Sequence, residues 1–278
     1  MDSHNISLPA KALIYLTVII FTVLALYPIF WLVTQSFKTN MVYITTNKLS
    51  FPKDWYAGNY PLVWIRDKAF NYFVNSIIYA AVTVTAVVLL SNMAGYAFAK
   101  IRFNITKYLH RLFIMGILLT IQAILIPLYL AVNATGLYNT RLAVLFPYIA
   151  LGTPMGIYLC TDFIKSIHDE LLESARIDGA GYIKTFSSIV FPMSVPVSVT
   201  LAILTFTSSW NEFVLMNLLV MEENKGMPAA VGRYISSLGS DYGRLFTSLT
   251  VALIPILIFY AIFRNQITKG VAAGAVKG

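Results

Sequence analysis

Six apolar runs, each about 20 residues long and so able to cross roughly 30 Å of hydrocarbon as a helix, dominate this chain of 278 residues. They cover about 13–33, 73–96, 108–132, 142–163, 195–220 and 246–263. Composition agrees with them. Only 12% of residues are charged and 58% are hydrophobic, with a mean hydropathy of +0.72, whereas soluble domains carry about 25% charged residues. A large soluble α/β enzyme would need those missing charges, so the outer surface is expected to face lipid. The fold class expected is all-α integral membrane, one transmembrane domain over residues 1–278 with six transmembrane helices. The third and fourth runs are separated by a short turn near Ala134–Thr140, which predicts a tight antiparallel hairpin. The first run begins near Lys11, exceeds the length of a signal-peptide core and is followed by no small-residue cleavage site, so it reads as a retained span.

The net charge of +8 does not point to nucleic acid, because the 20 Lys and Arg are scattered between apolar runs and form no basic block. Cys160 is the single cysteine, which excludes an intrachain disulfide and a cysteine-rich metal site. His4, His110 and His168 are far apart and form no HExxH pattern. Six spans place both termini on one side. With a cytoplasmic amino terminus the inner segments hold 11 of the 20 positive residues: Lys11; Lys100, Arg102, Lys107 and Arg111; Lys165, Arg176 and Lys184; Arg264, Lys269 and Lys277. The bias favours that orientation, most clearly in the acid-free stretch Lys100–Arg111.

The inner loop at about 164–192 differs from the rest. It holds Asp169, Glu170, Glu173 and Asp178, a third of the 12 acidic residues. Ser166 and Asp169 have capping-box spacing, and the acids that follow complement a helix amino terminus. Leu171, Leu172, Ala175 and Ile177 supply apolar contacts, while Gly179 suits the left-handed position that ends a helix. Ala180–Gly181 bends the chain, and a second short helix carrying Ile183, Phe186 and Val190 on one face leads to Pro192. An interfacial helix on lipid headgroups normally carries a basic polar face. This one is acidic at its start, which favours docking against protein.

The stretch Glu173-Ser174-Ala175-Arg176-Ile177-Asp178-Gly179-Ala180, continuing to Ile189-Val190-Phe191-Pro192, resembles the EAA loop of binding-protein-dependent ABC importer permeases. Its pattern is E-x-A-x-x-D-G-A, about eight residues, then I-x-x-P, and Ser174 stands where alanine is usual. Further matches resemble the carbohydrate branch that includes the maltose-type second permease: Phe73-Val74-Asn75-Ser76, Ala94–Phe103, Ile126-Pro127-Leu128-Tyr129, Ser209-Trp210-Asn211-Glu212-Phe213 and the terminal Ala272–Gly278. The likeness runs from Leu13 onward and is weakest at the amino terminus and in the stretch Phe37–Tyr72.

The resemblance implies a type I ABC importer permease: half of a translocation pore for a sugar or oligosaccharide handed over by an extracytoplasmic binding protein. It further implies a second homologous permease and two cytoplasmic ABC ATPase subunits in a bacterial or archaeal plasma membrane, with both termini cytoplasmic. The 164–192 loop would hold the coupling helix seated in an ATPase groove, with Glu173, Ala175, Asp178, Gly179 and Ala180 as its coupling residues: Glu173 and Asp178 for the loop's geometry and ionic contacts, Gly179 for its backbone shape. The chain itself has no G-x-x-x-x-G-K-[ST] phosphate loop, the nearest approach being Gly226 to Gly232-Arg233, and no G-x-S-x-G motif. It is therefore expected to be non-catalytic and to bind no cofactor, ATP and Mg residing on the ATPase.

Polar residues within the apolar runs need reasons of their own, since a charge at the bilayer centre costs about 2.5–3.5 kcal/mol on insertion scales. Asn211 and Glu212 either face the substrate path or lock one helix to another. Asn75, Asn92 and Gln122 pose the same choice, and Trp210 and Phe213 are candidates for stacking on a sugar ring. Other solutes, such as glycerol phosphates or peptides, would use the same coupling loop. An ion-coupled secondary transporter is disfavoured, because repeats and midplane ionisable groups are expected there. A membrane enzyme is disfavoured for want of a nucleophile, base or metal set.

Overall fold

The computed structural model describes residues 8–101, 104–235 and 239–275. Arg102, Phe103, Val276, Lys277 and Gly278, which entered the charge count or the motif matches, lie outside the described residues. Within them the chain is helical and contains no strand. Its helices are α1 (Leu8–Gln35), α2 (Asn40–Thr45), α3 (Asn59–Pro61), α4 (Ala69–Lys100), α5 (Thr106–Met115), α6 (Ile121–Ala134) and α7 (Arg141–Lys165). There follow α8 (Asp169–Ile177), α9 (Tyr182–Thr185), α10 (Phe191–Met193), α11 (Val195–Asn211), α12 (Val214–Leu219), α13 (Met227–Val231) and α14 (Tyr242–Ala275). Helices suit a lipid environment because each satisfies its own backbone polar groups.

Among the described residues four helices are long and apolar enough to cross a membrane: Leu8–Gln35, Ala69–Lys100, Arg141–Lys165 and Tyr242–Arg264. Two bent pairs raise the number to six if each counts as one crossing. The first departs from the straight span expected. The run 108–132 breaks at Leu119 and Thr120, which are extended, and its halves Thr106–Leu118 and Ile121–Ala134 meet at 102°. Close by, an added Cβ on Gly116 would lie 2.8 Å from the Pro154 ring. The second bend, of 74°, lies at Ser194 between Tyr182–Met193 and Val195–Asn211, where the loop expected to end at Pro192 gives way to the expected span. The run 195–220 is itself interrupted further on: α11 stops at Glu212, whose backbone is extended, before α12 begins.

The chain divides into two compact units. The first comprises Met1–Ala69 and Val231–Ile254. From Leu13 to Leu26 α1 exposes large apolar side chains on all sides, as a helix facing lipid or another apolar surface does. Polar anchoring begins only at its end. Asn59 Nδ2 donates to the carbonyls of Ser36 and Lys38, each at 2.8 Å, and Thr247 Oγ1 donates to Ser36 O at 3.1 Å. Asp67 is the other knot: Tyr234 OH donates to its carboxylate at 3.0 Å, and Arg244 pairs with it at 3.3 Å. Burial and the neighbouring Asp67 carboxylate push the Tyr234 phenol above its usual range.

The second unit comprises Phe70–Ala230 and Pro255–Gly278. One apolar cluster joins Tyr79, Val144, Tyr148, Leu215 and Leu219. Another joins Val87, Tyr96, Cys160, Ile164, Leu172, Val190 and Leu201. Close approach of α4 and α7 depends on small residues, as is usual between helices in lipid. A Cβ on Gly95 would lie 2.8 Å from that of Cys160, and one on Gly156 would strike Ser91. The short turn expected between the third and fourth runs is present, with Gly136 and Asn139 at positive φ.

Candidate functional site

Two short helices around a glycine turn form the 164–192 segment. Asp169 and Glu170 occupy the first turn of α8, where they complement the helix dipole. The expected capping box is absent. Ser166 ends α7 with helical backbone angles and donates from Oγ to Phe163 O at 2.7 Å, so it satisfies the helix behind it. The residue preceding α8 is His168, whose side chain makes no capping bond. Lys100 does the joining instead. Its ammonium, on the last residue of α4, reaches Ile167 O at 2.5 Å, Asp169 Oδ1 at 2.6 Å and Lys165 O at 3.4 Å. One cation thus joins the last carbonyl of α7, that of Ile167 in the connection, and the first acid of α8.

The end of α8 is a Schellman turn. Ala180 N donates to Ala175 O at 2.9 Å and Gly179 N to Arg176 O at 3.0 Å, with Gly179 at φ 78°. Leu172 and Ala175 are buried, and Leu172 joins the cluster with Ile164 and Val190. Leu171 and Ile177 point outward, contrary to their expected role as internal contacts, and Ile183 is 85% exposed instead of sharing a face with buried Val190. Glu173, Asp178 and Gly179 are exposed as well. The segment is therefore held from one side and presents acids, Leu171, Ile177 and Ile183 on the other. Glu173 borders a polar groove of about 400 Å³ with Lys100, Asp169, Arg176 and Tyr182.

Glu212 has a different task. Its carboxylate accepts Leu215 N at 2.8 Å and Met216 N at 3.3 Å, so it caps α12. It also accepts the Tyr148 hydroxyl at 2.6 Å, which ties α7 to the break between α11 and α12. Three donors and a helix amino terminus answer the cost of its charge. A cavity of about 80 Å³ lies beside it, bordered by Thr83, Ile121, Tyr148, Thr205 and Ser209.

The other path candidates do not gather there. Asn75 is buried and fully engaged: Nδ2 donates to Glu223 O and Lys225 O, each at 3.0 Å, and Oδ1 accepts Arg141 at 3.0 Å. Trp210 is 1% exposed, stacked on Phe206 and edge-on to Phe73, which leaves no face for a sugar ring. Asn211 and Gln122 are exposed on their helices, Asn211 donating to Thr207 O. Asn92 bridges α4 to Ser198 of α11 at 2.9 Å.

Sequence reasoning missed the anchor of the 221–225 segment. Asn139 Nδ2 donates to Glu223 Oε1 at 2.6 Å, its Oδ1 accepts Met221 N at 2.8 Å, and its carbonyl accepts Asn224 Nδ2 at 2.8 Å. The Asn139 amide holds the Glu223 carboxyl below its usual range. Asn139 follows a glycine by three residues in a short turn, and Asn is among the residues that tolerate φ above zero; that was the available signal. Among the described residues no group of three or more metal-ligating side chains occurs.

The model of the family described as "Binding-protein-dependent transport system inner membrane component" matches residues 88–272. The chain is 34% identical over 260 residues to the ORF2 ABC transporter permease protein of Caldicellulosiruptor sp. (strain Rt8B.4), covering 93% of this chain and 94% of that protein. It is 32% identical over 261 residues to the multiple sugar-binding transport system permease protein MsmG of Streptococcus mutans (92% and 93% covered). It is 28% identical over 271 residues to the diacetylchitobiose uptake system permease protein NgcG of Streptomyces coelicolor (96% and 89% covered). In fold it superposes on a crystal structure of a bacterial ABC transporter involved in the import of the acidic polysaccharide alginate, with TM-score 0.80 and 20% identity, covering 95% of this chain and 99% of that one. The family match spans the α8 segment and Glu212 alike, and the chain belongs to the binding-protein-dependent transport system inner membrane components, the membrane permeases of such importers.

Proposed function

We propose that this chain forms half of the pore of an ATP-driven importer for a sugar or oligosaccharide. Its other half is a second homologous permease, two cytoplasmic ABC ATPases drive it, and an extracytoplasmic binding protein delivers the solute. ATP and Mg are held by the ATPases, and this chain contributes no catalytic group. It crosses a bacterial or archaeal plasma membrane six times with both termini in the cytoplasm, each bent pair counting as one crossing.

The observation that carries this reading is the one-sided mounting of α8. A docking helix must be fixed to its own protein and free toward its partner, and Lys100, Leu172 and Ala175 fix one side while Glu173 and Asp178 stay open on the other. Glu173, Ala175, Asp178, Gly179 and Ala180 are the residues assigned to ATPase coupling. Saccharide as the solute rests on the sugar-transport relatives named above. Reconstitution tests the whole: vesicles holding both permeases, the ATPases and the binding protein take up labelled saccharide when ATP is inside. ATP-driven uptake by this chain alone would contradict the half-pore reading, and uptake of peptides but no saccharide would contradict the solute class.

A further inference from the structure

A second cavity adjoins the groove beside α8, sharing Ala99 and Ile101 with it, where α4 and α7 end and α5 begins. It has a volume of about 440 Å³ and is bordered by Phe98 at the end of α4, Thr106, Lys107 and His110 at the start of α5, and Thr161 and Lys165 at the end of α7. Three of its polar atoms are buried without a hydrogen-bond partner: Thr106 Oγ1, His110 Nε2 and Thr161 Oγ1. Thr161 is 1% exposed. Unpaired buried polar groups are rare, and three occur around this one cavity. Neither Lys107 nor Lys165 pairs with a carboxylate among the described residues; the Lys107 ammonium lies 5.0 Å from the Tyr108 ring centroid. No acid borders the cavity.

We propose that this cavity seats the phosphate of an anionic phospholipid headgroup. The lining offers the Lys107 and Lys165 ammoniums, the Thr106 and Thr161 hydroxyls, the Asn104 amide and the His110 imidazole. Two positive charges with no carboxylate between them favour an anion over a neutral sugar, and the hydroxyls and amide can donate to it. The ten-residue helix α5 opens at Thr106 without a side-chain cap, so its positive end adds to the same field. The location suits a lipid better than a free ion. The inference rests on the topology proposed above, which puts this cavity at the cytoplasmic boundary, where basic cavities between helices bind such headgroups; Phe98, packed on Phe113 at 5.9 Å, supplies an apolar wall beside the charges.

The test titrates the purified full-length chain in detergent with phosphatidylglycerol, phosphatidylcholine or inorganic phosphate, and counts retained molecules by native mass spectrometry. Wild type is expected to retain one phosphatidylglycerol in preference to phosphatidylcholine. K107Q/K165Q is expected to weaken that retention by roughly tenfold or more, at about a kcal/mol per lost charge and 1.4 kcal/mol per tenfold. Thr161→Val, which keeps shape and charge, is expected to weaken it several-fold, so a loss of fold in the lysine variant does not decide the matter. Equal retention of both lipids, or undiminished retention in Thr161→Val and K107Q/K165Q, overturns the proposal. Inorganic phosphate displacing the lipid at equal concentration overturns the lipid as occupant.

Discussion

The Lys100 ammonium sits 2.6 Å from the Asp169 carboxylate and 2.5 Å from the Ile167 carbonyl, so one side chain at the end of α4 fixes where α8 begins. The lysine side chain is 7% exposed and the aspartate 66%. That asymmetry decides which partner matters. An ion pair with one exposed partner is worth about 0–1 kcal/mol, whereas leaving carbonyls unsatisfied costs about 1–3 kcal/mol. Lys100→Met is therefore expected to loosen α8 and lower ATPase retention, while Asp169→Asn changes it little. Co-purification of the ATPase with each variant checks this order.

The Tyr148–Glu212 bond makes a prediction about stability. Tyr148→Phe removes one of three donors to a half-buried carboxylate, at about 1 kcal/mol, and Glu212→Gln weakens all three bonds. If the two residues act as one lock, the double variant loses clearly less than the sum of the singles. Thermal unfolding in detergent measures the cycle, and strict additivity would contradict the lock.

How much of this was legible beforehand differs between elements. The apolar runs and the glycine turn at Gly179 were readable, because span length and left-handed backbone are local properties of sequence. The bend at Thr120 and the break at Glu212 were not. Beside the first, Gly116 packs closely on Pro154, and at the second the Glu212 carboxylate turns back on Leu215 and Met216 and takes the Tyr148 hydroxyl; contacts between distant parts of the chain are not local properties of sequence. Ser166 shows the converse failure: its spacing fits a capping box, but it lies close enough to α7 to bond backward. For Asn75 the sequence left a choice between the substrate path and a structural lock, and for Trp210 a candidate ring contact; the structure engages Asn75 in anchoring a loop and packs Trp210 on Phe206, partners that spacing alone does not reveal.

Asn139 and Glu223 give a pH dependence. The bond from the Asn139 amide lowers the Glu223 pKa in the folded chain. A depressed acid pKa contributes stability that is present above the unfolded value and lost as pH falls through the folded one. The 221–225 segment is thus expected to become more protease-sensitive below the usual carboxylate range. Asn139→Gly, which keeps the positive φ but removes the side-chain bonds, is expected to show that sensitivity already at neutral pH. Limited proteolysis across pH compares the two.

Gly179→Ala addresses the docking claim most directly. An added Cβ at Gly179 would meet nothing within 4 Å, so the only penalty is the left-handed backbone, about 1–2 kcal/mol. That is too little to unfold the helices and enough to tilt the end of α8. The variant is expected to insert and fold as wild type does, yet to lose ATP-driven uptake or shed its ATPase on purification. Glu173→Ala, at an exposed position, is expected to do the same. Wild-type ATPase retention together with wild-type uptake in both variants would contradict the assignment of α8 as the coupling helix.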